Sequence, residues 1–301
     1  MTSCETGTRM HAHQIDVTAS DVRRLLSAQF PQWAGESVMR LPSYGTTNAM
    51  FKLGDDKVAR LPFIPGDGAS IAVEAGLLAH VAGALPVPTP RVLEVGEPDG
   101  AYPFHWSVLS WLPGEMPVPE SLVDASGLVD DVVDIVLALQ RMPVHGARTA
   151  QRSAPFCHSA DEVRGYLAQL AGDFDTRALS RLWNDALAAP AWDGPPMWLH
   201  SDLLPSNLLV DERGRLCGVL DWAAAGVGDP SCELLAAWNV FPADARELFR
   251  ARLGVDEASW RRGRGWAVSQ ASHALAYYRE TNPGMVEMAT RALRALELEE
   301  V

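Results

Sequence analysis

The stretch His200-Ser201-Asp202-Leu203-Leu204-Pro205-Ser206-Asn207, continued by Leu208-Leu209-Val210 and then Val219-Leu220-Asp221-Trp222, sets three oxygen-bearing side chains between short apolar runs. The pattern predicts strand, loop, strand, hairpin, strand: Met197 to His200, the Asp202 loop, Leu208 to Val210, the turn Asp211-Glu212-Arg213-Gly214, and Leu216 to Leu220. Asp202 and Asp221 then fall at strand ends, where a fixed backbone presents a side chain to a cleft. Phosphoryl transfer needs this set: one carboxylate beside the acceptor hydroxyl, and two oxygen ligands holding Mg²⁺ on nucleotide phosphates. Asp202 is the expected base, and Asn207 and Asp221 the expected metal ligands. Singly, each could be an Asx turn or a strand cap; their joint spacing selects the chemical reading. His200 is expected to hold the loop in shape by a buried hydrogen bond.

Protein kinases place the Asp and Asn of H-R-D-x-x-x-x-N at the same separation, ahead of D-F-G. Here Ser201 stands at the Arg position, so a phosphorylated activation loop would find no receptor. Asp221 is followed almost at once by Gly226-Val227-Gly228-Asp229-Pro230, leaving no room for a long regulatory segment. A constitutively assembled small-molecule kinase is expected. Asp229 and Pro230 read as N-cap and first residue of the next helix.

On His200-x-Asp202-x4-Asn207, Asp221-Trp222 and Gly226-x-Gly228-Asp229-Pro230-x-x-Glu233-Leu234, the chain resembles the aminoglycoside phosphotransferase family of antibiotic kinases, which includes macrolide and peptide-antibiotic kinases. The family's usual form has Gly where Ser201 stands and Asp where Glu233 stands. The looser likeness runs from about Leu41 to Tyr278. It implies an α+β, bilobal, protein-kinase-like fold, with a small antiparallel-sheet N-lobe (1–110) and a larger, mostly helical C-lobe (111–301). It also implies ATP or GTP as donor with Mg²⁺, and a hydroxyl of a small molecule, an antibiotic, as acceptor. A metabolic kinase of the same fold acting on choline, a sugar or an amino alcohol, and a non-catalytic binding protein, stay open as alternatives.

The rest of the chain fits this plan. A cap cluster, Thr18-Ala19-Ser20-Asp21, opens a helix toward Phe30. Three short strands follow at Ser37–Leu41, Ala49–Leu53 and Lys57–Leu61. Between the first two, Ser43, Gly45, Thr46 and Thr47 could close over the triphosphate through backbone N–H groups and hydroxyls. A lone Gly there is also an ordinary hairpin signal. Arg60 takes the place of the phosphate-holding lysine, with Glu74 on the next helical run as its partner; an always-charged, forked guanidinium can serve. The apolar run ending Ser110-Trp111-Leu112-Pro113-Gly114 reads as the hinge, where the resemblance implies backbone groups of Ser110, Trp111 and Leu112 on the purine edge. Helices are expected over Leu122–Leu139, over Ala160–Leu187 as one run, and after Pro230, where the acceptor pocket would lie.

Composition sets the outer limits. The chain has 301 residues, 48% hydrophobic and 21% charged, which is ordinary for a globular protein of two lobes. A net charge of −13 opposes nucleic acid as a partner and permits a cationic substrate. No apolar run reaches the length of a membrane span and the first residues are polar, so a cytoplasmic protein is expected. Cys4, Cys157, Cys217 and Cys232 have no metal-ligand spacing and read as reduced thiols, the last two packed.

Overall fold

The computed structural model describes residues 9–42, 45–65, 69–122, 124–152 and 159–299, so Ser43 lies outside the described residues, as do Cys4 and Cys157. The chain divides into two compact units, Met1–His80 with Pro90–Leu112 and Glu280–Asn282, and Val81–Thr89 with Pro113–Arg279 and Pro283–Val301.

The first unit begins with α1 (Ala19–Gln29). Thr18 caps it in a reciprocal capping box with Asp21, which satisfies otherwise orphaned N–H groups of the first turn. The sheet has β1 (Val38–Arg40), β2 (Asn48–Leu53), β3 (Lys57–Pro62), β4 (Val92–Gly96) and β5 (Trp106–Ser110) in the order β1-β2-β3-β5-β4, with every pair antiparallel. β2 alternates in burial, so Ala49, Phe51 and Leu53 enter the core while Asn48, Met50 and Lys52 do not. Val22, Leu25 and Leu26 of α1 pack with Phe51, Leu53, Leu61 and Trp106 in that core. Each such side chain contributes about 1.5–3 kcal/mol by leaving water. α2 (Ala69–Val81) follows the sheet's third strand.

The second unit is mainly helical: α3 (Ser126–Gln140), α4 (Ala160–Gln169), α5 (Thr176–Ala188), α6 (Ala236–Asn239), α7 (Ala243–Leu253), α8 (Glu257–Tyr278) and α9 (Pro283–Glu297). The single helix expected over Ala160–Leu187 is two. Gly172 at φ 100° turns the chain, and the Asp175 carboxylate caps α5 by accepting from Arg177 N and Ala178 N, both at 3.0 Å. The helix expected from Leu122 begins at Ser126. α8 packs against α5 and α9. Its three close-set arginines are ion-paired in place, Arg261 and Arg264 sharing Asp185 and Arg262 meeting Asp229. Buried guanidinium groups persist only when paired in this way.

Two short ribbons complete the second unit. β6 (Met197–Leu199) pairs with β9 (Gly226–Gly228), and β7 (Leu208–Val210) with β8 (Leu216–Val219), all antiparallel. The segment Arg148–Arg152 is zipped onto β9 and the residues before it. Val227 N donates to Arg148 O at 2.8 Å, Ala150 N to Val227 O at 3.0 Å, Gln151 N to Ala224 O at 3.0 Å, and the Arg148 side chain to Ala225 O at 2.7 Å. Such an approach needs a residue without a side chain, since a Cβ at Gly226 would lie 2.6 Å from both Ala150 N and Arg148 O. Gly226→Ala is therefore expected to destabilise the protein by about 1–3 kcal/mol, read as a lower urea midpoint at unchanged slope; an unchanged midpoint would contradict this packing.

Candidate active site

The loop between β6 and β7 is built on buried polar anchors. His200 is fully buried, and burial lowers its pKa, so the ring is neutral. Its Nε2 donates to Leu220 O at 2.9 Å, and its Nδ1 accepts from Asp202 N at 3.2 Å, which fixes the tautomer. The next residue, Ser201, has φ 62°, a left-handed conformation that favours glycine, the family's usual residue here. Its Oγ donates to Ala224 O at 2.8 Å and its N–H to Glu233 Oε1 at 2.7 Å. The two departures from the family pattern, Ser201 and Glu233, thus touch each other.

Asp202 leaves this turn with both carboxylate oxygens engaged. Asn207 Nδ2 donates to Asp202 Oδ2 at 3.1 Å and to Asp202 O at 2.9 Å. With Nδ2 so occupied, Oδ1 is the atom that Asn207 has for a cation. The Leu220 N–H donates to Asn207 O at 2.8 Å, extending the β7–β8 ladder to the residue before Asp221. Asp221 is exposed, at φ 53°, and accepts from Ala223 N at 3.5 Å. Asn207 and Asp221 therefore flank one hydrogen-bonded step of the ribbon. Their hard oxygen donors suit Mg²⁺, which keeps several ligands from water and substrate phosphates. Among the described residues no three His, Cys, Asp or Glu side chains converge to hold a metal unaided.

The opposite oxygen of Asp202, Oδ1, accepts from Arg152 Nη1 at 2.6 Å, and the same nitrogen donates to Ser201 O at 2.8 Å. Arg152 escaped the sequence reading, because a single Arg in a loop fifty positions upstream carries no spacing signal. Asp229 serves as expected at a helix end: its side chain accepts from Ser231 N at 2.9 Å with Pro230 following, and it also pairs with Arg262 at 2.8 Å.

In the first unit, Arg60 forms an ion pair with Glu74, and both are largely buried. Asn48, its amide oxygen turned toward the guanidinium, accepts from Arg60 Nη2 and Nε, both at 3.1 Å. Lys57, at the start of the same strand, is taken up by Glu36 and Asp56. Thr46 O faces His11 Nε2 at 2.6 Å and Thr47 O accepts from Phe63 N at 2.9 Å, so the loop holding Gly45, Thr46 and Thr47 is tied at its carbonyls. In the hinge candidate, Ser110 is bonded to Arg91 through N–H and Oγ, and Trp111 N donates to Asp56 O at 2.8 Å beneath the Lys52 ammonium, 4.6 Å from its ring centre. The backbone N–H and C=O of Leu112 make no hydrogen bond among the described residues. Among the residues of α6 and α8, Trp238, Asn239, Trp266 and Tyr278 are buried, whereas the exposed His273 meets the rings of Tyr166 and Tyr277. Cys232 is buried against the Asp202 loop and Cys217 is partly exposed.

Glu233 makes the loop sensitive to pH. Burial pushes its pKa from 4.5 up to about 7, against the lowering effect of the Ser201 N–H, and Oε2 has no hydrogen-bond partner among the described residues. Between those values the folded chain keeps a proton that the unfolded chain has released. The stability contribution of this group is thus present below pH 4.5 and is lost as pH rises to about 7. Glu233→Gln, which keeps the acceptor oxygen, should unfold at a temperature close to that of the parent at pH 5 and above it at pH 8. A difference that stays constant between these two pH values would contradict the assignment.

A family model described as the phosphotransferase enzyme family matches residues 38–266. Among solved structures, the GDP complex of wild-type aminoglycoside 2'-phosphotransferase-IIIa superposes with a TM-score of 0.74 at 16% identity, covering 93% of this chain and 99% of that one. The macrolide 2'-phosphotransferase MphH from Brachybacterium faecium, an apoenzyme, gives 0.58 at 21% identity over 93% and 99%. The GDP and kanamycin complex of APH(2")-IIia gives 0.72 at 17% over 91% and 97%. The uncharacterized protein YcbJ of Bacillus subtilis (strain 168) is 33% identical over 112 residues, which are 36% of this chain and 33% of its own length. The structural likenesses show a kinase-like α+β fold, the antiparallel sheet in the N-terminal part and the helices in the C-terminal part. With most of its length matched by the family model, the chain belongs to the phosphotransferase enzyme family, the aminoglycoside phosphotransferase family of nucleotide-dependent kinases.

Proposed function

We propose that the protein transfers the γ-phosphoryl group of a Mg-nucleotide, ATP or GTP, to a hydroxyl of a small-molecule antibiotic and so confers resistance. The observation that carries this reading is the loop geometry: a carboxylate, Asp202, held by Asn207 Nδ2, with Asn207 Oδ1 and Asp221 on adjoining steps of one ribbon. Asp202 takes the hydroxyl proton as transfer proceeds. Asn207 and Asp221 hold Mg²⁺, whose charge offsets that of the phosphates when bound. Arg60, fixed by Glu74 and Asn48, steadies the α and β phosphates, with Gly45, Thr46 and Thr47 over the triphosphate and Leu112 on the purine edge. Most of the rate gain would come from positioning and charge, as phosphoryl transfer asks little covalent chemistry of the protein. The cytoplasm, which supplies Mg-nucleotide, is the compartment this reading assigns. Among the described residues no helix is long and apolar enough to cross a membrane.

Support for an antibiotic acceptor comes from relatives of the same fold that act on aminoglycosides and macrolides, and from the exposed rings of His273 and Tyr277 beside the partly buried Tyr166, which suit a partly apolar natural product. The test is nucleotide turnover with Mg²⁺ and ATP or GTP across aminoglycosides, macrolides, cyclic peptide antibiotics and small metabolic alcohols. Turnover only with choline, sugars or amino alcohols would replace the antibiotic reading by the metabolic one. Asp202→Ala should lower turnover by at least about 100-fold with nucleotide affinity retained. Asp221→Ala should weaken Mg-nucleotide binding as well; full activity in either variant would refute the assigned roles.

A further inference from the structure

We propose that Arg152 is a catalytic residue of the phosphotransferase reaction assigned above, donating hydrogen bonds to the phosphoryl group as it passes from nucleotide to acceptor. The group sits where that charge would develop. Its Nη1 is fixed by the Asp202 carboxylate and by the Ser201 carbonyl, so the guanidinium lies against the atom expected to receive the acceptor's proton. Both bonds use Nη1, and the forked side chain has further donors on Nη2 and Nε. Its side chain is about 29% exposed. The positive charge also reaches α8: after burial, the Arg152 charge is the next cause holding His273 below its usual pKa.

The backbone is built to deliver the side chain. Four consecutive links from Arg148 to Gln151 tie the segment to residues 224–227, and the absent Cβ of Gly226 permits that approach. A fixed cation costs no reorganisation when charge moves onto the equatorial phosphoryl oxygens. In the reaction the acceptor oxygen forms its bond to phosphorus as the bond from phosphorus to the β–γ bridging oxygen breaks. The nucleoside diphosphate leaves with that electron pair, and the hydroxyl proton passes to Asp202. Neither step removes the need for charge stabilisation on the group in flight, which an Arg supplied within the chain provides in other phosphoryl-transfer enzymes.

The proposal rests on the kinase reading, and the experiment separates the two. Turnover of Mg-ATP and Mg-GTP, with water or an identified antibiotic as acceptor, is measured for the parent, Arg152→Ala, Arg152→Lys, Asp202→Asn and the Arg152→Ala/Asp202→Asn double variant. Nucleotide binding is titrated in parallel and folding is checked by thermal unfolding. The expected result for Arg152→Ala is a kcat lowered by about 100-fold or more with nucleotide KM within about 3-fold of the parent. Lys should restore part of the loss, and the Ala substitution should lower turnover again in the Asp202→Asn background. An Ala variant that is folded and within about 3-fold of parental kcat would overturn the proposal. So would a loss that vanishes in the Asp202→Asn background, which would make Arg152 a positioning residue acting through Asp202. Absence of nucleotide binding by the parent would overturn the kinase reading and this proposal together.

Discussion

The turn that presents Asp202 depends on a buried hydrogen bond from the Ser201 N–H to the Glu233 side chain. Ser201 is forced into left-handed backbone geometry so that Asp202 can leave the loop toward Asn207 and Arg152. A non-glycine residue pays for that conformation with roughly 1 kcal/mol of steric strain. Two hydrogen bonds offset it, one through the N–H to Glu233 and one through Oγ to Ala224 O. A glycine could make only the first.

Around that bond, charge is distributed with some economy. The chain carries a surplus of acid, yet the Asp202 carboxylate faces a guanidinium, and the arginines of α8 are each paired with Asp185 or Asp229. Net charge describes the surface that solvent and distant ligands meet. At the loop the balance is local, set by which side chains the ribbons bring within hydrogen-bond range. For this reason the overall value of −13 gives little guidance about the acceptor.

Much of this was legible in the sequence because the signals are local. The Asp202–Asn207–Asp221 spacing, the Thr18 capping cluster, the Asp229-Pro230 cap and the pairing of Arg60 with a helix carboxylate all lie within short stretches or follow strand alternation. Reading Ala160–Leu187 as one helix failed where a glycine of positive φ and an Asp cap interrupt an otherwise helical period. Cys217, expected to be packed, is partly exposed because it stands on a short two-stranded ribbon, beside Pro113. Arg152 and the role of Glu233 were out of reach for a different reason. Each acts on the loop through a contact whose partner is distant in the chain; nothing around Arg152 marks it, and the motif that contains Glu233 does not name the residue it touches.

The ties that make the loop also say when it can form. Arg148 meets Ala225 across a separation of 77 positions, Arg152 meets Asp202 across 50, and Ser201 meets Glu233 across 32. Each closure costs chain entropy before its hydrogen bonds return any of it, so contacts of this range assemble slowly and late. An excised fragment holding only His200 to Trp222 would contain all three signature residues and lack these three ties. During synthesis, the Asp202 loop would leave the ribosome before Glu233, and would wait for it in an unformed state.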